Sequence, residues 1–189
     1  MPTKITFLPA FSWAILAIIT FSQCREICDF SPIQLEQYNW KLIELNNSGV
    51  EPAIENGNSG SKESFGLRLQ FEMTGYSEPA CPENYYEIPN PVTELSIYAD
   101  QDFDQTHSAG ALLNNYFVVR RNNTQTKLPE YKIISESMDV FNKYNGTYIE
   151  VDYILAQPPE NPGAYQFKLK LKFSNSDSTI LSSRLITLQ

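Results

Sequence analysis

Apolar and polar residues alternate with a period of two over most of this chain, and that period predicts strands, because successive strand side chains point to opposite faces. In residues 64–72, Phe65, Leu67, Leu69 and Phe71 alternate with Gly66, Arg68, Gln70 and Glu72. Residues 93–99 repeat the pattern through Leu95, Ile97 and Ala99, and residues 147–155 through Ile149, Val151, Tyr153 and Leu155. The plainest case is 165–173, where Lys168, Lys170 and Lys172 take a wet face and Phe167, Leu169, Leu171 and Phe173 a dry one. Residues 175–178 read as a reversal into a partner strand over 179–188, making a terminal hairpin. Further strands are predicted at 38–45, 116–120 and 131–134, so about eight strands build an all-β sandwich of two sheets. Two short helical turns are predicted, one over 108–115 with Ser108 as cap and Leu112 inward, the other over 137–144. Residues 46–49, 55–61 and 157–163 carry turn chemistry, and 75–91, with four prolines, reads as an irregular crossover.

One segment breaks the alternation. Residues 5–21 are uncharged, follow Lys4 and lead through Ser22 and Gln23 to Cys24. Seventeen residues would span about 26 Å as a helix, short of the roughly 30 Å hydrocarbon core, so a transient export signal suits the run better than a permanent span. Its ending resembles a bacterial lipoprotein signal, which implies cleavage behind Gln23 and lipidation of Cys24. Gln23 departs from the small residue usual there, so soluble cleavage after Ser22 and a retained helix stay open as other endings. The expected organisation is a signal peptide over 1–23, an anchor segment over 24–36 and one sandwich domain over 37–189.

Cysteine usage fits that division. With Cys24 assigned to an acyl group, Cys28 and Cys81 remain as a pair able to form one disulfide in an oxidising compartment, the alternative being two reduced core residues. The formal charge of −8, with 14 basic against 22 acidic residues, speaks against nucleic acid and against a polybasic membrane contact. Attachment to a membrane would therefore come from lipid.

Candidate chemistry is sparse. His107 is the single histidine, and a Ser-His-Asp arrangement with Ser108 and an upstream aspartate can be drawn on paper, but adjacency in sequence does not aim a base at its nucleophile. A loop histidine bonded to its neighbours is the preferred reading. Asp100, Asp102 and Asp104 are spaced to aim oxygens at calcium if distant residues completed the shell; an EF-hand is excluded, because Gln105 and Ala111 stand where its glycine and bidentate glutamate belong. No other cofactor motif is present. Tyr76, Tyr85 and Tyr86 in the crossover form a candidate aromatic platform for a glycan or an envelope protein, with inward packing as the competing reading. Trp40 reads as a core anchor.

The segment Leu45-Asn46-Asn47-Ser48-Gly49, with Ser64-Phe65-Gly66-Leu67-Arg68-Leu69, resembles the first half of a family of uncharacterised Bacteroidetes lipoproteins. Val92-Thr93-Glu94-Leu95-Ser96-Ile97, with Asp102-Phe103-Asp104, His107, Ala109-Gly110 and Tyr116-Phe117, resembles the same family's central motif. The resemblance implies an immunoglobulin-like β-sandwich and a cell-envelope location; with the lipid anchor, the expected place is the outer membrane. It implies no catalytic residues, the family being a domain of unknown function. The expected activity is thus a noncatalytic binding or structural module, with an exported hydrolase using paired carboxylates as the alternative.

Overall fold

The alternating segments pair as their pattern requires. In the computed structural model, which describes residues 33–34, 38–73, 86–87, 90–122, 129–141, 143–144 and 148–189, fifteen strands numbered in chain order form four sheets. The apolar run 5–21, Cys24, Cys28, Tyr76, Cys81 and Tyr85 lie outside the described residues. The largest sheet has the order β3 (Ala53–Ile54), β2 (Tyr38–Asn46), β5 (Phe65–Met73), β11 (Tyr148–Leu155), β8 (Phe117–Asn122), β9 (Pro129–Lys132), every neighbour antiparallel. A second, three-stranded sheet runs β14 (Ser178–Ser182), β13 (Phe167–Phe173), β7 (Val92–Ala99), also antiparallel.

The dry faces of these two sheets meet. Phe65, Leu67, Leu69 and Phe71 of β5 and Val151, Tyr153 and Leu155 of β11 share one buried cluster with Leu95 and Ile97 of β7 and Phe167, Leu169 and Leu171 of β13. Phe65 stacks on Phe167 with ring centroids 5.0 Å apart, and Phe117 meets the same ring edge-on at 5.8 Å. Trp40 closes one end, 4.7 Å from Phe71 and 6.5 Å from Phe173, in the core-anchor role its strand suggested. The fold is therefore all-β and sandwich-like, its layers held by the hydrophobic effect at roughly 25 cal/mol per Å² of apolar area buried.

Two neighbouring strands change sheet at the same level. The alternation in 165–173 is interrupted at Gln166: β12 (Gly163–Tyr165) joins β15 (Ile186–Leu188) and β4 (Ser59–Gly60) in a third sheet, whereas β13 joins the second. The expected strand over 179–188 splits likewise between β14 and β15, with 183–185 as the crossover. The backbone groups freed at Gln166, Phe167 and Ser183 find partners. Asp100 N donates to Gln166 O at 3.1 Å, and Gln166 N donates to Asp100 Oδ1 at 2.7 Å. Phe167 N donates to Ser183 Oγ at 2.9 Å, and Ser183 N donates to Phe167 O at 2.8 Å. Glu44, on the dry side of β2 and with a side chain only 5% exposed, accepts from Arg184 N at 2.6 Å and from Arg184 Nε at 2.8 Å. A buried carboxylate thus clamps the crossover to the opposite layer.

Both expected helical turns shift. Gly110 at φ +80° takes a left-handed conformation that ends any turn begun at Ser108. Leu112 then bridges Tyr98 in an antiparallel pair and is 52% exposed, while Leu113 is buried, so the inward residue is Leu113 rather than Leu112. The turn itself is a 3-10 helix at Asn114–Tyr116. The second begins earlier than expected, at Ile134–Phe141, because Ile134 is buried in the core and starts the helix instead of ending a strand; Lys143–Tyr144 is a strand, β10. With the short strands included, the count among the described residues is fifteen rather than eight. No helix among the described residues is long and apolar enough to cross a membrane.

The fourth sheet is built of two-residue strands. β1 (Ile33–Gln34) runs parallel to β6 (Tyr86–Glu87), with Ile33 opposite Tyr86, and β6 also pairs with β10. Cys28 precedes Ile33 by five residues, and Cys81 precedes Tyr86 by five. Both cysteines lie outside the described residues, and the expected disulfide is open to a chemical test. The protein purified without reductant is expected to lack free thiols at Cys28 and Cys81, and Cys28→Ser to lower unfolding free energy by about 4 kcal/mol in denaturant melts; two alkylatable thiols in the untreated protein would exclude it. Gly66 supplies a second test, since a Cβ there would lie 2.9 Å from Ile154 Cδ1 and 3.1 Å from Tyr153 O. Gly66→Ala is expected to lower stability by about 1–3 kcal/mol in the same assay.

Candidate functional site

His107 sits in the loop that leaves β7, and the loop is built around one carboxylate. Asp104 Oδ1 accepts from Thr106 N at 2.7 Å and from His107 N at 2.8 Å, the Asx-turn geometry that a short acidic side chain offers its own backbone. Tyr116 Oη donates to Asp104 Oδ2 at 2.5 Å, and His107 Nδ1 lies 3.0 Å from Asp104 Oδ1 and 2.9 Å from Tyr116 Oη. Beneath them Phe103, fully buried, meets Tyr116 edge-on at 4.9 Å. The hydrogen bond from Tyr116 does most to hold the Asp104 carboxyl well below the usual carboxylate range, and Thr106 and His107 add to it against a burial that pushes upward. The same bond pushes the Tyr116 phenol up.

The histidine is therefore turned to Asp104, Thr106 and Tyr116, and none of its hydrogen bonds goes to Ser108. Asp100, Asp102 and Asp104 are not brought together either. Asp100 receives Gln166 N, Asp102 receives Ala109 N at 2.8 Å, and Asp104 organises the turn. Each carboxylate tethers a different backbone segment, and no group of three or more His, Cys, Asp or Glu able to hold a metal ion occurs among the described residues. Of the tyrosine trio only Tyr86 falls in a described strand, β6, with its backbone paired to Ile33 and Tyr144.

A cleft of about 440 Å³ opens elsewhere, on the wet face of the six-stranded sheet. β8 and β11 pair from Phe117 opposite Leu155 to Arg120 opposite Asp152; beyond that β8 continues with β9, and Glu150 and Val151 pair with β5. The diverging strands leave a wedge. Its floor is Arg68, which donates to both oxygens of Asp152, at 2.6 and 2.9 Å, and reaches Glu150 at 3.0 Å. Arg120, 5% exposed, holds Glu51 at 2.9 Å and donates to Val50 O at 2.9 Å, drawing the loop after β2 over the sheet. Arg121 completes the lining. This network escaped the sequence reading, which treated the wet residues of β5 and β11 as ordinary surface. The available signal was the pairing of Arg68 in one alternating segment with Glu150 and Asp152, two apart on one face, in another.

No match to a protein-family model, a curated protein or a solved structure is found for the chain. The cleft offers guanidinium and carboxylate groups in fixed, mutually satisfied pairs, an arrangement suited to holding the strands in register as well as to contacting a polar partner.

The loop around Asp104 gives a pH test. Because the folded-state pKa lies below that of the unfolded chain, about 3.9, the stabilisation is present above that value and is lost as pH falls through the folded-state pKa. In urea melts Asp104→Asn is expected to unfold earlier than the parent at pH 7, with the gap narrowing below about pH 4. A gap that stayed constant down to pH 2 would contradict the assignment.

Proposed function

We propose that this chain is an exported lipoprotein of the cell envelope, held to the outer membrane by an acyl group on Cys24, and that its sandwich acts as a noncatalytic binding or structural module. The observation that carries the reading is the uncharged run 5–21 ending just before Cys24. The first described strand starts at Ile33, so an anchor at Cys24 would stand close to the folded domain with a short lead between them. Membership of the Bacteroidetes lipoprotein family, and with it the immunoglobulin-like form of the sandwich, belongs to the same proposal. It is supported by the antiparallel order β2-β5-β11-β8 facing β14-β13-β7.

The described polar groups fit a binding role. His107 and Asp104 stiffen a loop, Arg68 and Arg120 lock the wet face of a sheet, and Glu44 clamps the layers together. Rigid, pre-paired surfaces lose little conformational entropy when a partner docks.

Anchorage is decided by Cys24→Ser. Expressed in a bacterial host and grown with labelled palmitate, the parent chain is expected to carry label and to sediment with membranes, whereas Cys24→Ser is expected to be unlabelled and released. Equal membrane retention of both would overturn the lipoprotein reading.

A further inference from the structure

The outer face of the β14-β13-β7 sheet carries an ordered array of side chains that the core does not use. Each lysine of β13 lies between one residue of β7 and one of β14: Lys168 between Tyr98 and Ser182, Lys170 between Ser96 and Ile180, and Lys172 between Glu94 and Ser178. Alternate residues of a strand are about 6.8 Å apart, so the three lysines leave the strand at even intervals along one row. The alternate side chains, Phe167, Leu169 and Leu171, are in the core, so register fixes the row on the opposite, wet face. Lys168 and Lys170 make no ion pair among the described residues, and Lys172 approaches Glu94 only at 3.8 Å with both side chains about half exposed or more.

Three ammonium groups against one carboxylate is an unusual local balance on a chain whose formal charge is −8. A polyanion repelled by most of this surface would be drawn to the row. The face is also shaped. A depression of about 210 Å³ is lined by Lys170, Lys172, Tyr98, Ser96, Ser178 and Glu94, among others. Ammonium groups match the carboxylates of a sugar acid, hydroxyls and a single carboxylate match its hydroxyl groups, and the flat Tyr98 ring beside Lys168 matches a sugar face. An anionic lipid surface would find exposed apolar groups only at the two margins of the face, Ile180 on β14 and Leu112 opposite Tyr98, 61% and 52% exposed, and would be repelled by Glu94 between them and the strand end.

We infer that the outer face of the β14-β13-β7 sheet binds an anionic polysaccharide of the polyuronate class, laid along the Lys168-Lys170-Lys172 row with Tyr98 stacking against a sugar ring. The inference deepens the binding-module reading above by naming its ligand class, and it does not depend on how the chain is anchored. Calorimetry of the purified full chain with polygalacturonate, with neutral dextran and with phosphatidylglycerol vesicles tests it. Polygalacturonate is expected to bind with an affinity that falls as salt is raised, while dextran does not bind and the vesicles bind more weakly. Replacing all three row lysines by glutamine is expected to weaken polygalacturonate binding roughly tenfold, since three exposed charge contacts are lost. The control Lys41→Gln/Lys62→Gln/Lys132→Gln, which removes the same charge from other elements, should stay within about twofold of the parent. Tyr98→Ala should weaken binding severalfold at unchanged salt dependence, and it keeps the test open if the lysine variant fails to fold. Absence of polygalacturonate binding, equal losses in the two lysine variants, or vesicle binding as tight as that of the polymer and indifferent to Tyr98 would each overturn the assignment. None of those results would bear on palmitate labelling at Cys24, so the two readings fail separately.

Discussion

A backbone that leaves one sheet for another must find new partners for every amide it frees, and this fold meets that constraint at a single level for two strands together. Gln166 and Ser183 are neighbours, each at the point where its strand crosses from the second sheet to the third. Asp100 and the Ser183 hydroxyl fill the two amide positions that strand pairing leaves empty. Unpaired groups at that depth would each cost about 1–3 kcal/mol, enough to favour straight strands that could not close the end of the sandwich. Glu44 adds the link between layers, because its carboxylate, 5% exposed, would stand uncompensated without the Arg184 donors. Packing of Phe65 on Phe167 and of Phe117 beside it then follows from where the crossing places Phe167.

Most of the strands were legible as alternation, since a face that packs on another sheet leaves a period-two trace that no helix would share. β5, β7, β11 and β13 match their predicted segments to within a residue or two. The breaks were not legible. Gln166 continues the alternation as an outward polar residue, and only its bonds to Asp100 and Ser183, both remote in sequence, show that the chain turns there. The segment 108–115 misled for a related reason: Ser108 and the two leucines read as a capped turn, yet the edge of β7 offered the backbone of Leu112 and Leu113 a better set of partners. Two-residue strands such as Ala53–Ile54 and Ser59–Gly60 carry too few side chains for any period to appear.

The chemistry was legible in kind but not in place. His107 was read as a loop residue bonded to its neighbours, and the Asp104 turn accounts for that, whereas the even spacing of Asp100, Asp102 and Asp104 suggested convergence that the bend after β7 undoes. The arginine-carboxylate pairs of β5, β11 and β8 join residues as far as 84 positions apart, and such long-range register is invisible until strand order is known. The lysine row was visible in the sequence as a wet face. Its flanking rows, from two other strands, were not.

Asn114 carries a consequence of a different kind. Its side-chain oxygen accepts from Ile97 N at 2.8 Å and its amide donates to Leu95 O at 2.8 Å, so one side chain imitates a peptide unit against the outer edge of β7. Leu95 to Ile97 lies in a strongly β-forming stretch of the chain, and an open edge there would template the addition of a foreign strand. By occupying that edge from within, Asn114 leaves the backbone of Leu95 and Ile97 no open pair for a foreign strand to join.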